Sequence, residues 1–391
     1  MKNYEELIKQ KKIPQLFVFG MYRSGTTVIA RSLAGENKIA FASDPIRPLF
    51  NCYRSALQKN INLIKSDNSN RPFDDYFNND TDYIEHLLIS NFSEKITLEE
   101  LIRMRKSIIQ QGSEFSPKFT SNLERSNILK SSNFSSELKY YLSLIISTYG
   151  NSETCLVGLK EVWCTEMALP IINMLGEDAK IIIVLRNPLD IVASSIIGSP
   201  NYSILSLVRQ WRKQVVFYKL LKAKFPKQVT SINYEDFCSN PSLVLNNKIK
   251  KLMNGLDFFK KYQVNPLDDD GNSWKKNSSY LSKDLSKDID KKSIGKFKEI
   301  LSDSEIEWIN YLTHMSSYKR YNQSITCPTM PISFFPKRNA DKVANWAKLD
   351  LIKIEEENLR EELRSEHRRI ERIHSKFEYN EKNAEYITIQ I

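Results

Sequence analysis

Nowhere in the 391 residues does an apolar run approach the ~18 residues of a membrane-spanning helix, and the opening MKNYEELIKQKK has no apolar stretch of the kind a secretory leader needs. Neither a membrane span nor export is therefore expected. Cysteine is sparse: the five residues, Cys52, Cys155, Cys164, Cys238 and Cys327, form no CxxC pair and leave an odd count. That excludes a disulfide framework and favours reduced thiols in the cytoplasm. The four histidines, His86, His314, His367 and His374, stand in unrelated contexts, so no metal site is expected. Recognised nucleic-acid motifs are missing too, and the basic residues are spread along the chain. What is present in excess is positive charge, +10 at neutral pH with 27% charged and 41% hydrophobic residues. A soluble α/β-sized chain with that surplus calls for an anionic ligand more than for a nucleic-acid partner.

The most informative stretch is Gln15 to Ala34, QLFVFGMYRSGTTVIARSLA. Leu16 to Phe19 is an unbroken apolar run suited to a buried parallel strand. Gly20 to Thr27 turns the chain through small and hydroxylated residues, and Val28 to Leu33 has a helical pattern. Strand, small-residue turn and helix together aim backbone N–H groups and a helix N-terminus at a phosphate. The glycine spacing Gly20-x-x-x-x-Gly25 is that of a Walker A loop. Position 26, however, is Thr instead of Lys, and the cation comes earlier, as Arg23. The best second strand, Lys180 to Leu185, ends in Arg186 instead of the carboxylate that an Mg²⁺-dependent NTPase uses. A loop that holds a phosphate without a metal-bound triphosphate follows; the plain alternative is a Ser/Thr-rich turn that caps a helix.

Arg23-Ser-Gly-Thr-Thr27 after an apolar strand resembles the 5′-phosphosulfate loop of sulfotransferases that use 3′-phosphoadenosine 5′-phosphosulfate (PAPS). Independently, Ile181 to Ser194, IIIVLRNPLDIVAS, is similar to that family's 3′-phosphate segment, a strand-end Arg followed eight residues later by Ser. The resemblance covers roughly residues 13–325. It implies the P-loop NTPase-like sulfotransferase fold, an α/β three-layer architecture with a parallel sheet flanked by helices.

Along the chain, residues 1–13 suggest a short helix. Lys38 to Ala42 suggests a second strand closed by Ser43-Asp44-Pro45, with Pro45 and Pro48 excluding an immediate regular helix. Residues 51–150, rich in Lys and Asn, suggest a helical insertion beside the sheet, partly mobile, with patches at Tyr83–Phe92, Leu98–Gln110 and Glu137–Tyr149. Cys155–Lys160, Lys180–Leu185 and Gln228–Tyr234 have strand patterns; Glu166–Leu175 and Leu205–Phe225 have helical ones. Gly25, Asp44, Lys160, Arg186 and Tyr234 then fall at or near strand ends, where such sheets bind ligands. Residues 1–343 are expected as one domain and 344–391 as a charged C-terminal helix. In that tail Leu349, Ile352, Leu359, Leu363, Ile370, Ile373 and Phe377 recur at three- and four-residue spacing, interrupted by Asn345, Glu356 and Glu366. An oligomerising coiled coil and a single helix lying on the domain both fit.

The resemblance also implies roles. Backbone N–H groups of Ser24, Gly25, Thr26 and Thr27, with the side chains of Arg23, Thr26 and Thr27, would surround the 5′-phosphate. Arg186 and Ser194 would hold the 3′-phosphate, unless Arg186 simply pairs with Asp190. Tyr234 would border the adenine, or be a core tyrosine. Ser278 and Lys296 match the late segment that closes over the cofactor. No metal is implied. Asp44 sits where the protein-tyrosine sulfotransferase-like branch carries a carboxylate and is the favoured general base, with Glu161 as runner-up; an Asp capping a turn before Pro45 is the alternative. Lys160 would meet charge on the bridging oxygen, or pair with Glu161 or a neighbour. The acceptor, whether sugar, lipid, peptide or small metabolite, is not specified by these residues. A P-loop kinase using ATP–Mg²⁺ and a non-catalytic relative that assembles through the C-terminal helix are the rival readings.

Overall fold

A computed structural model describes residues 13–60, 86–126, 131–198, 204–253, 264–274 and 291–313, together with residues 202, 255 and 289 and two short strands at 377–379 and 387–389. Five parallel strands form one sheet in the order β2-β3-β1-β4-β5. They are β1 (Gln15–Gly20), β2 (Ile39–Ser43), β3 (Leu156–Val162), β4 (Ala179–Leu185) and β5 (Val229–Asn233). Most residues of these strands are buried and apolar, as a sheet covered on both faces requires, with Lys160 and Glu161 of β3 and Thr230 and Ser231 of β5 among the buried polar exceptions. Central β1 pairs with β3 and β4, and its last residue, Gly20, lies level with Val162 and Val184. The three central strands therefore end together, along one rim.

Alternation along β1 divides the interior into two cores. Leu16 and Val18 face α1 (Thr26–Ala34) and the later helices α9 (Tyr234–Ser239) and α10 (Pro241–Leu252), through Ile29, Leu33, Phe237, Leu245 and Ile249. Phe17 and Phe19 face the larger core. That side is covered by α2 (Arg47–Asn60), α3 (Leu98–Gly112), α4 (Pro117–Arg125), α5 (Phe134–Tyr149), α6 (Ala168–Leu175), α7 (Pro188–Ile197) and α8 (Ile204–Lys224). Later in the chain come α11 (Phe297–Ile300) and α12 (Asp303–Thr313). This is the expected three-layer α/β architecture.

Two expectations are corrected. A regular helix does follow β2 at once: α2 begins at Arg47 and carries Pro48 in its first turn, where a missing N–H breaks no intrahelical bond. The described helices of 51–150 pack against the sheet. Leu57, Phe92, Leu101, Ile108, Phe119, Tyr141 and Ile145 share one buried core with Phe17, Phe19 and Leu159 of the sheet. The second correction is that the charged tail is not helical to its end. Phe377–Tyr379 and Ile387–Ile389 pair as antiparallel strands β6 and β7, in keeping with their aromatic and β-branched residues on either side of a polar connection. The expected helix over residues 1–13 and the seam from 344 to 376 fall almost wholly outside the described residues.

Within the helical layer, Arg105 of α3 grips Glu137 of α5 through Nε to Oε1 at 2.8 Å and Nη2 to Oε2 at 3.1 Å. Ser131 Oγ adds a bond of 2.6 Å to Oε2, and the carboxylate is wholly buried. Glu137→Ala strands the guanidinium and is expected to cost about 3–5 kcal/mol in urea unfolding, whereas the double replacement Arg105→Met/Glu137→Leu recovers most of that loss.

Candidate active site

Everything that follows lies on the rim where β1, β3 and β4 end. After Gly20 the chain turns through two left-handed residues, Arg23 (φ 65°) and Gly25 (φ 87°). Ser24 closes this turn, donating from N (3.2 Å) and Oγ (2.7 Å) to the Met21 carbonyl. Gly25 is the N-cap of α1, and no side chain caps that helix. The N–H groups of its first turn therefore point outward uncapped, at the positive end of the helix dipole. That is the arrangement an anion occupies.

Tyr234, the first residue of α9, roofs the turn: a Cβ on Gly25 would lie 2.1 Å from Tyr234 Cδ2. Arg186, just past β4, stacks on the same ring with Cζ 4.4 Å from its centroid. Its Nη1 donates to the Arg23 carbonyl and its Nη2 to the Ser293 carbonyl, both at 2.8 Å. Ser293 Oγ in turn lies 2.9 Å from Tyr234 Oη. Burial, only partly offset by Arg186, raises the pKa of the Tyr234 phenol, so it stays neutral. Asp190 is not the partner of Arg186. Its carboxylate accepts from Gly295 N (3.0 Å) and Phe297 N (3.3 Å), clasping the 293–297 peptide over the rim. Arg186 Nε and Ser194 Oγ are buried without a hydrogen-bond partner. Two donors held dry in this way suit an anion that brings its own acceptors.

The second half of the rim is acidic and basic by turns. Lys160, buried in β3, forms an ion pair with Asp44 Oδ2 and reaches Thr27 Oγ1 at 3.4 Å. It thus stands between the turn after β1 and the Asp44 carboxylate. Asp44 is left-handed (φ 51°), and its N–H donates to the Lys160 carbonyl at 2.7 Å. Glu161, the next residue of β3, points to the opposite face and accepts from Ile46 N at 2.6 Å. Burial first, and the neighbouring Asp44 second, push its carboxyl well above the usual carboxylate range.

Among the sequence-predicted residues, the structure brings Arg23, Gly25, Thr27, Arg186 and Tyr234 together, with Asp44 and Lys160 joined to them through Thr27. Thr26 lies in the first turn of α1, and Ser24 binds within its own loop. Lys296 occupies the N-cap position of α11 within the clasped peptide, and Ser278 lies outside the described residues. Sequence reasoning missed Ser293 as the residue that touches both Arg186 and Tyr234. It also missed an aromatic group on the rim, in which Tyr22 stacks on Trp163 (5.9 Å, 13°) and both meet Tyr202 edge-on. The position of Trp163, two residues beyond Glu161, was the available signal.

A sequence model of the sulfotransferase family matches residues 14–252, well over half of the chain. The chain belongs to the sulfotransferase family. As a member of that family it is similar to the sulfotransferase domain of the Synechococcus PCC 7002 olefin synthase, at 17% identity over 74% of this chain and 89% of that one, with a TM-score of 0.41. It is similar to the sulfotransferase domain from the curacin biosynthetic pathway at 16% identity over 75% and 95%, with a TM-score of 0.41. For sulfotransferase STF9 from Mycobacterium avium the figures are 15%, 65% and 68%, with a TM-score of 0.33. No curated protein matches. Among the described residues, no helix is long and apolar enough to cross a membrane.

The roof over the turn is testable. Gly271 also has positive φ (83°), close to that of Gly25, but open space lies where its Cβ would be. Gly271→Ala therefore carries the backbone penalty alone, roughly 1–3 kcal/mol. Gly25→Ala adds a collision with the Tyr234 ring and is expected to cost a further ~1–3 kcal/mol, read as a clearly larger fall in the thermal midpoint.

Proposed function

We propose that this sulfotransferase-family protein is an enzyme that moves a sulfuryl group from PAPS to a hydroxyl or amine acceptor, releasing adenosine 3′,5′-bisphosphate. The observation that carries the reading is the bond from Arg186 to the Arg23 carbonyl, which ties the two phosphate motifs into one rim. Further support comes from the uncapped N-terminus of α1 and from the partnerless donors on Arg186 and Ser194. The first suits a 5′-phosphate and the second a 3′-phosphate. Tyr234, held between Gly25 and Arg186, offers a ring edge to the base.

In the proposed reaction the donor supplies an SO₃ unit on a phosphate leaving group. The acceptor oxygen or nitrogen forms a new bond to sulfur as the bond from sulfur to the bridging phosphate oxygen breaks. Asp44 accepts the acceptor's proton. Lys160, which touches both Asp44 and Thr27 here, swings toward the bridging oxygen and, with Arg23, meets the charge that develops there. That movement frees the Asp44 carboxylate for its task.

Arg186→Ala is expected to weaken adenosine 3′,5′-bisphosphate binding by about 10- to 100-fold in calorimetry, the worth of one or two charge-assisted bonds. Unchanged affinity would remove Arg186 from the site. Thermal-shift measurements with adenosine 3′,5′-bisphosphate and with ATP–Mg²⁺ separate this reading from a P-loop kinase: stabilisation by the bisphosphate alone is expected, and stabilisation by ATP–Mg²⁺ alone would favour the kinase.

A further inference from the structure

Glu161 and Asp44 are the two carboxyl groups that act on Lys160 and the turn after β2, and their surroundings differ. The Asp44 side chain keeps 13% of its surface open, and its Oδ1 is buried without a partner. Glu161 has no exposed surface at all. An acceptor can approach the first and not the second. Glu161 is nonetheless built into the same turn. Asp44 holds a left-handed backbone just before Pro45, a conformation that costs a non-glycine residue about 1–3 kcal/mol and persists only where neighbours enforce it. Two bonds from consecutive residues of β3 enforce it here. The Lys160 carbonyl takes the Asp44 N–H, and Glu161 Oε1 takes the Ile46 N–H. Because consecutive strand residues point to opposite faces, Lys160 reaches Asp44 from the α1 side while Glu161 braces the turn from the Phe19 side.

We propose, taking the sulfuryl-transfer reading above as its basis, that Glu161 is a positioning residue: a neutral, permanently buried acid that fixes the Asp44 turn and never exchanges a proton with the acceptor. The charged and titratable groups around it are Asp44, Lys160, Arg47 and Cys164. Burial and Asp44 raise its pKa, and the opposing pull of the Ile46 N–H, Arg47 and Lys160 does not reverse the direction. In the neutral acid Oε1 is the carbonyl oxygen that serves Ile46. Oε2, buried and without a partner, carries the proton. A group of this kind has a distinct pH signature. The native state holds a proton that the unfolded chain releases near the ordinary value of about 4.3. Stability therefore falls as pH rises from there toward the raised native value. A glutamine at the same place supplies the same carbonyl oxygen with no ionisation to suppress.

Three variants of the full chain test this: Glu161→Gln, Glu161→Ala and Asp44→Asn. The thermal midpoint of Glu161→Gln should match the parent near pH 5 and exceed it increasingly toward pH 9. A Gln variant less stable than the parent at pH 8–9 would mean that Glu161 is ionised, and would overturn the proposal. Amide hydrogen exchange at Ile46 should stay protected in Glu161→Gln and speed up at least ~10-fold in Glu161→Ala, the scale of one lost buried bond; unchanged protection in the Ala variant would also overturn it. Release of adenosine 3′,5′-bisphosphate from PAPS, with water as acceptor, completes the set. Glu161→Gln should keep turnover within about threefold, Glu161→Ala should lose about 10-fold, and Asp44→Asn should lose about 100-fold. A Gln variant as damaged as Asp44→Asn would make Glu161 the base. If the parent neither binds adenosine 3′,5′-bisphosphate nor turns PAPS over, the sulfuryl-transfer reading fails. The pH and exchange results still decide how Glu161 is held.

Discussion

The contact on which the rim depends is the guanidinium of Arg186 against the backbone carbonyl of Arg23. The two residues are 163 positions apart, yet sheet pairing leaves them nowhere else to go. β1 and β4 are hydrogen-bonded neighbours with Gly20 opposite Val184, so the first residues past each strand emerge side by side. Arg186 then lies flat on Tyr234, and Tyr234 lies on Gly25. The turn after β1 is thereby packed from the side by an aromatic ring and held from behind by a cation. A turn with two left-handed residues and no side-chain cap would be poorly determined alone. Its shape is imposed by neighbours that arrive from distant parts of the chain.

A similar logic governs Trp163, which leaves β3 with φ 66°. Its N–H donates to the Gly20 carbonyl at 3.1 Å, and its own carbonyl accepts from Arg54 Nη2 at 3.1 Å. Arg54 and Lys213 both pair with the fully buried Glu166, at 2.5 and 3.2 Å. Such a cluster adds little net stability compared with apolar packing. What it does supply is direction: it fixes the exit of β3 relative to α2 and α8, and with it the residues on either side of Lys160.

Much of this was legible in the chain. Strands buried on both faces are mostly apolar or β-branched, so β1, β3, β4 and β5 stand out to within a residue or two. The turn after β1 and the Arg186–Ser194 pair are local patterns, and local patterns survive in a single sequence. The rest depends on contacts between distant segments. Nothing about Asp44-Pro45 reveals that the Asp is left-handed, because the cause is a carbonyl and a carboxyl contributed by β3. Lys160 turns to Asp44 instead of Glu161 since adjacent strand residues face apart. Pro48 looked like a barrier to helix but occupies the one turn that tolerates it. Tyr234 closed an expected strand and in fact opens α9. Ser293 lies in the late segment that the resemblance picked out through Lys296, but its own contact appears only once Arg186 is seen to bond its carbonyl.

The peptide around Ser293 has one more consequence. Its anchor, Asp190, lies inside the segment that matches the family, which stops at residue 252, while the residues it clasps, Gly295 and Phe297, lie beyond. The recognisable family portion is therefore not a self-sufficient unit. A chain cut at the end of that portion keeps the turn after β1, the Arg186–Ser194 corner and the whole five-stranded sheet. It loses the carbonyl that Arg186 leans on, the hydroxyl that meets Tyr234, and the cover over both.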